Sequence, residues 1–241
     1  MTENQNKLDQ KDLNAYGNEF KTLLGLKGSA VAVKLVEPGK ESDIPAGMNK
    51  IDRQMRHCQM TDYVRRTGES FSTTYDDHQC KGGAAALGLG VLPDKVRSGQ
   101  FYCDGLHHFK TVESAKKTVD LITFLGPNTR ISALYAPLES VNYNPDVVIF
   151  ICNPKQAMLL TQGYEYRDGG RIEAAFSGKQ SVCSDAVAHV MKTNKPNMTI
   201  GCSGSRSYTK ITDDELLFSI PAKDVEKTVI GLRSIVGENK N

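Results

Sequence analysis

The 241-residue sequence contains no tryptophan and no excess of charge of one sign. Its apolar runs, of which Val147–Cys152 is among the longest, fall far short of the ~20 residues a membrane-spanning helix requires. Lysine and arginine number 30 against 28 acidic residues, a net charge of +2. Neither a strong basic excess nor a basic stripe appears, which argues against nucleic acid as a partner, and the missing span argues against a membrane. The N-terminus, MTENQNKLDQKDLN, is polar throughout. It reads as neither signal nor transit peptide, so a cytoplasmic location is expected. Hydrophobic residues at 39% and charged residues at 24% exclude global disorder and suffice for a real core.

Local chemical motifs are equally sparse. There is no G-x-x-x-x-G-K-[ST] phosphate loop, and Gly88-x-Gly90 falls at a helix end rather than at a strand-to-helix turn. The five histidines, including His57, His78, His107 and His108, form neither H-x-x-x-H nor H-E-x-x-H. They read as surface residues, with His57 and His78 as metal neighbours the minority reading. Asp76-Asp77 and Asp213–Glu215 read as solvated turns, and no Ser-His-Asp arrangement stands out. C-x-x-C is absent, which removes the ferredoxin-type, zinc-ribbon and thioredoxin-type signatures.

What is present is a regular alternation of helical and extended patterns. Residues 1–10 read as a tail, and Leu13–Leu26 as an amphipathic helix. Ala30–Val36 reads as a strand, Asp52–Arg66 as a helix and Ser70–Tyr75 as a strand. An Ala-rich helix opens at Cys80. Gln100–Cys103 reads as a strand, Val112–Phe124 as a helix and Ile131–Ala136 as extended. Val147–Cys152 is the strongest strand pattern. The helix Pro154–Tyr164, strand Arg171–Phe176, helix Val182–Met191 and strand Met198–Gly201 follow, then a Gly/Ser-rich turn, CSGSRS. Strand Leu216–Ile220 and helix Ala222–Val236 complete the chain. Thr212-x-x-Glu215 matches a capping box, but LLFSI follows it, so no helix is expected there. These elements imply an α/β or α+β fold in a single domain, residues 1–241. They also suggest two similar halves, 12–125 and 130–238, with a pseudo-two-fold that relates the helix starts at Cys80 and Cys183.

Six cysteines in a cytoplasmic chain call for an explanation other than disulfides. Cys80 and Cys183 open helices, where unpaired N–H groups favour a thiolate. Cys58 sits among Arg53, Arg56 and His57. Cys202 lies in Gly201–Arg206, a loop whose N–H groups can approach a sulfur or an anion. In that loop Ser203, Gly204, Ser205 and Arg206 are candidate cofactor-binding residues. Cys152 ends an apolar strand and reads as core, and Cys103 closes QFYC without a clear role. Four cysteines in electropositive settings suit either an iron–sulfur cluster or a four-thiolate zinc site.

Several long blocks carry a resemblance to a known family. They include LLGLKGSAVAVKLV, HCQM around Cys58, QCKGGAAALGLGVLPDKVRSGQFY, APLESVNYNPDVVIFICNPKQAMLL, AAFSGKQSVCSDAV and TIGCSGSRSY. Over about Leu23–Val236 the chain resembles the uncharacterised ArCR proteins, domain of unknown function 169, found largely in archaea and anaerobic bacteria. The resemblance implies that the recurrent cysteines are Cys58, Cys80, Cys183 and Cys202, the four that local electrostatics single out, and not Cys103 or Cys152. The expectation is one [4Fe–4S] cluster on those four, with a redox partner protein or a small-molecule ligand. Zinc in a structural site of a regulatory module is the alternative. A thiol enzyme or redox switch at Cys80 or Cys183, and a small-molecule accessory protein, are further readings. The sequence carries no signal for oligomeric state.

Overall fold

The computed structural model describes residues 9–238. Positions 1–8 of the expected tail lie outside the described residues, while Asp9 and Gln10 already begin the first helix. That helix, α1 (Gln10–Leu24), is capped by the Asp9 carboxylate, which accepts the Lys11 N–H at 3.0 Å. It buries Leu13, Phe20 and Leu24. The chain continues through β1 (Val31–Val36), α2 (His57–Thr67), β2 (Phe71–Thr73), α3 (Lys81–Ala86), α4 (Asp94–Arg97) and α5 (Val112–Leu121). After β3 (Ser132–Pro137), β4 (Val147–Cys152) and α6 (Pro154–Glu165) come α7 (His189–Thr193), β5 (Asn197–Thr199) and α8 (Ser203–Tyr208). β6 (Leu216–Pro221) and α9 (Val225–Glu238) end the described chain.

One sheet organises these elements in the order β2-β3-β1-β4-β6-β5, with every pairing antiparallel. Helices cover both faces, which is why β4 reads as an unbroken apolar run rather than an alternation. Its side chains still divide by twos. Val147, Ile149 and Ile151 face one core with Met60 of α2 and Ala84 of α3. Val148, Phe150 and Cys152 face the other, with Phe20 of α1, Leu160 of α6 and Leu232 of α9. α6 and α9 cross at glycines: a Cβ on Gly231 would stand 2.2 Å from the Gly163 carbonyl oxygen, so only glycine permits the approach. The fold is therefore α+β, in three layers and one domain.

The strands are symmetric about the central β1–β4 pair. On each side lies a six-residue strand ending in proline (Pro137, Pro221) and followed by a 3-10 turn. A three-residue edge strand lies beyond each. The helical connections do not match: α3, α4 and α5 separate β2 from β3, whereas only α8 separates β5 from β6. Two elements of the expected repeat are not strands. Gln100–Cys103 belongs to a π-helix, Phe101–Gly105. It is started by Gly99 at φ +84°, whose carbonyl accepts the Cys103 N–H at 3.1 Å. Tyr102 is thereby packed on Ala115 and Val119 of α5. Arg171–Phe176 has no ladder partner. It is largely exposed and held at Ala175 by the Asn197 side chain.

Two further expectations shift. The CSGSRS turn is the start of α8, with Cys202 as its N-cap. The helix expected over Val182–Met191 is a second π-helix, Ser181–Ala188, running into α7. α2 begins at His57 rather than Asp52, because Met55 bonds to the β2–α3 connection through Asp77 O and Gln79 N.

Candidate functional site

Cys58, Cys80, Cys183 and Cys202 line one cavity of about 550 Å³ on the sheet face covered by α2, α3 and the second π-helix. Each stands at the start of a helical segment. Cys58 is the second residue of α2, Cys80 caps α3, Cys183 is the third residue of the second π-helix and Cys202 caps α8. Free N–H groups at helix starts point toward such positions. One is used directly, the Gly83 N–H donating to Cys80 Sγ at 3.4 Å. A Cβ on Gly83 would stand 3.5 Å from both Cys80 Sγ and Cys183 Sγ. Those two sulfurs are therefore at most twice that distance apart, and the absent side chain leaves the space between them open.

The four thiols differ in access. Cys58 and Cys183 are buried, Cys202 is half-buried and Cys80 is exposed. Burial pushes the Cys58 thiol up to about 12, with Cys202 and Cys80 pushing the same way. Cys183 is raised well above the ordinary thiol value, by burial first and then by Cys80, Cys202 and Cys58. Its thiol donates to the Gln180 carbonyl at 3.3 Å. Among the described residues, no group of three or more His, Cys, Asp or Glu side chains is placed so that it could hold a metal ion. The remaining cysteines are elsewhere. Cys152 is buried in the opposite core, and Cys103 donates to the Phe109 carbonyl at 3.5 Å.

Of the CSGSRS candidates, Ser203 and Gly204 line the cavity. Ser205 and Arg206 do not. The buried Ser205 hydroxyl accepts the Cys202 N–H at 2.8 Å and donates to the Cys202 carbonyl at 2.9 Å, fixing the turn. Arg206 donates to the carbonyls of Ile200, Thr212 and Glu215, so its guanidinium ties loop 209–215 to the start of α8 rather than meeting a ligand. The cations that do line the cavity are Arg56, Lys81 and Lys179, and no Asp or Glu lines it. Their positions beside Cys58, Cys80 and Cys183 were visible in the sequence, but which cations turn inward was not.

Behind the cavity the scaffold is polar, and some of its buried atoms, among them His57 Nε2, His78 Nδ1 and Gln180 Oε1, have no hydrogen-bond partner. His57 Nδ1 and the Tyr135 hydroxyl are 2.7 Å apart. Burial, then His78, pulls the His57 imidazole down to about 3, against a smaller opposing effect of the Val182 carbonyl, so the ring is neutral. His57 lines the cavity. His78 does not, its Nε2 lying 3.0 Å from Thr73 Oγ1. Arg65 of α2 forms a buried two-pronged pair with Glu215, whose carboxylate also accepts the Thr212 N–H at 3.0 Å. Asp62 of α2 accepts the Lys210 N–H at 2.9 Å. These bonds lock the helix of Cys58 to the loop that follows the helix of Cys202. Gln180 holds a left-handed backbone (φ 48°, ψ 37°) just before the second π-helix. Strained backbone and π-helical turns both concentrate at functional sites.

Fold and site together define a class: a three-layer α+β domain that collects four dispersed cysteines around one chamber. The chain belongs to the uncharacterised ArCR family, domain of unknown function 169, whose match spans residues 19–231. An uncharacterised protein of Methanocaldococcus jannaschii is 37% identical over 232 residues, covering 95% of this chain and 98% of the relative. No solved structure matches the chain. Among the described residues, no helix is long and apolar enough to cross a membrane.

Proposed function

We propose that Cys58, Cys80, Cys183 and Cys202 jointly hold one [4Fe–4S] cluster in the chamber, and that the protein uses it for electron transfer or to bind a small ligand. The observation that carries this reading is selective convergence. Four of six cysteines, remote in sequence, line a single cavity, while Cys103 and Cys152 do not. A tetrahedral zinc ion with sulfurs at ~2.3 Å would need them about 3.8 Å from one another. Four sulfurs ranged around a cavity of about 550 Å³ favour a guest with extent of its own. Helix-start N–H groups and the cations Arg56, Lys81 and Lys179 suit an anionic cluster, whose potential depends on such donors.

When bound, the cluster would supply one-electron redox capacity or an iron coordination position. The protein's part is to position the thiolates, shield Cys58 and Cys183, and leave the Cys80 side open. A reducing cytoplasm, with a redox protein or a small molecule as partner and neither nucleic acid nor membrane involved, accompanies this reading.

The test is anaerobic purification with iron, sulfide and zinc assays and a visible spectrum. About four iron and four sulfide per chain are expected, reduced by serine at any of the four cysteines and unchanged in Cys103→Ser and Cys152→Ser. Zinc without sulfide would favour a structural thiolate site. Material that is free of iron and cannot be reconstituted would overturn the cluster.

A further inference from the structure

The thiols occupy only part of the chamber. Its volume of about 550 Å³ falls in the ~300–1,000 Å³ range of small-molecule sites. Part of its lining is apolar, built from Pro93, Val96, Phe101, Tyr102 and Leu106. The first π-helix and the residue after it supply the last three. Phe101 and Leu106 are 42% and 37% exposed, and Tyr208, also in the lining, is 52% exposed. Three large hydrophobic side chains of the chamber thus stay open to solvent.

The charges facing this space are of one sign. Arg56, Lys81 and Lys179 are all half-buried, and none forms a salt bridge among the described residues. Their contacts are neutral. Arg56 lies over the Tyr208 ring at 3.6 Å and donates to Gln79 Oε1 at 2.5 Å. Lys81 donates to the Tyr75 carbonyl at 3.0 Å, and Lys179 lies 5.2 Å from the Phe109 ring centre. Partly desolvated cations without a counter-charge favour an anion. A four-thiolate [4Fe–4S] cluster, at a net charge of about −2 in its oxidised form, would offset part of the three positive charges.

A third observation is the buried carboxamide of Gln180, which is only 7% exposed and lines the cavity. Its Nε2 donates to the Tyr102 hydroxyl at 3.1 Å, while Oε1 is buried without a partner. An unsatisfied buried acceptor is destabilising, and a ligand with an N–H or O–H would satisfy it.

We infer that the chamber binds a small organic anion with an apolar body. Its acidic group faces Arg56, Lys81 and Lys179, its body lies on the Pro93–Leu106 wall, and a donor on it meets Gln180 Oε1. The inference rests on the cluster reading only for what lies beside the ligand; recognition comes from the protein's own side chains.

The experiment uses two probes of near-equal size, 6-hydroxy-2-naphthoate and neutral 6-hydroxy-2-naphthamide, each with a hydroxyl donor for Gln180 Oε1, titrated calorimetrically into anaerobically purified protein. The acid is expected to bind at one site at least ten-fold tighter than the amide, with the gap narrowing as salt is raised. Lys81→Gln with Lys179→Gln is expected to remove the discrimination, and Phe101→Ala to weaken both probes alike. If the double variant does not fold, each single variant is expected to show a partial loss. Equal affinity for the two probes, no binding of either, or discrimination intact in the lysine variants would overturn the inference. Iron and sulfide assayed on the same sample separate the two readings. Discrimination in protein that is iron-free and cannot be reconstituted supports the anion site and breaks the cluster reading; full iron without discrimination does the reverse.

Discussion

Replacing Glu215 by glutamine tests whether the pair behind the chamber holds α2 in place. Arg65 and Glu215 are 7% and 5% exposed, and they meet through two N–H···O contacts. Breaking a buried pair by neutralising one partner costs about 3–5 kcal/mol, because the other charge stays buried. Here the lower end applies, about 3 kcal/mol, since Asp62 Oδ1 lies 3.8 Å from Arg65 Nη1 and takes over part of its charge. The pH dependence has a defined sign. Burial pushes the Glu215 carboxyl up, but its bonds to Arg65 and to the Thr212 N–H outweigh this and leave it below the ordinary value. A lowered carboxylate contributes stability that is present above its unfolded value, about 4.3. That stability is lost as pH falls from there through the folded value. Urea unfolding of metal-free protein at pH 7 and pH 4 is the assay, with part of the wild-type acid loss missing in Glu215→Gln. A cost under about 1 kcal/mol at pH 7, or an unchanged acid limb, would refute a clamping role. Arg65→Met with Glu215→Leu is expected to recover most of the loss, because an apolar replacement of both partners leaves no charge unpaired.

Gly83→Ala is expected to stabilise metal-free protein by about 0.5–1 kcal/mol through helix propensity, yet to lower iron loading, because its Cβ enters the gap 3.5 Å from two sulfurs. Unchanged iron per chain would count against that gap being occupied. Asp146 is half-buried and accepts the Leu35 N–H at 2.7 Å, and desolvation raises its carboxyl despite that bond. A raised carboxylate makes stability fall as pH climbs above about 3.9, so Asp146→Asn is expected to flatten that slope in urea titrations at a series of pH values. Asn197→Ala removes three 2.9 Å bonds, two to Ala175 and one to the Asp185 carbonyl. A loss of about 2–3 kcal/mol and faster proteolysis within 171–177 are expected; an unchanged cleavage rate would refute the tether.

The sheet was legible where burial made the sequence monotonous. Val31–Val36, save for Lys34, and Val147–Cys152 are apolar because helices cover both faces, and their boundaries needed no long-range information. The π-helices were not legible. QFYC alternates like a strand, and only the Gly99 turn and the packing of Tyr102 on α5 make it helical. Arg171–Phe176 alternates too, but it meets the edge strand β5 through the Asn197 side chain at Ala175 rather than through a backbone ladder. The four chamber cysteines stood out by their electropositive neighbours and by the family resemblance. Arg206 misled, because a cation near a cysteine in sequence is more useful here to three backbone carbonyls than to the sulfur. Gln180 gave no signal, since its left-handed backbone and unpartnered oxygen exist only in three dimensions.

The topology explains how such distant cysteines meet. Each edge strand is bracketed by two of them: Cys58 and Cys80 flank β2, and Cys183 and Cys202 flank β5. The strand symmetry therefore matches Cys58 with Cys183 and Cys80 with Cys202, not Cys80 with Cys183. The inner pair follows burial, since Cys58 and Cys183 sit in the core over the sheet. Cys80 and Cys202 cap short helices nearer solvent. Two deep and two shallow ligands give a guest an anchored side and an accessible side. The accessible side is the one that faces Lys81 and Ser203. Chemistry at this centre is therefore expected to begin at Cys80 or Cys202. Iodoacetamide should reach Cys80 and Cys202 before Cys58 and Cys183 in metal-free protein, as read by mass spectrometry; the reverse order would mean that the chamber opens from the sheet side.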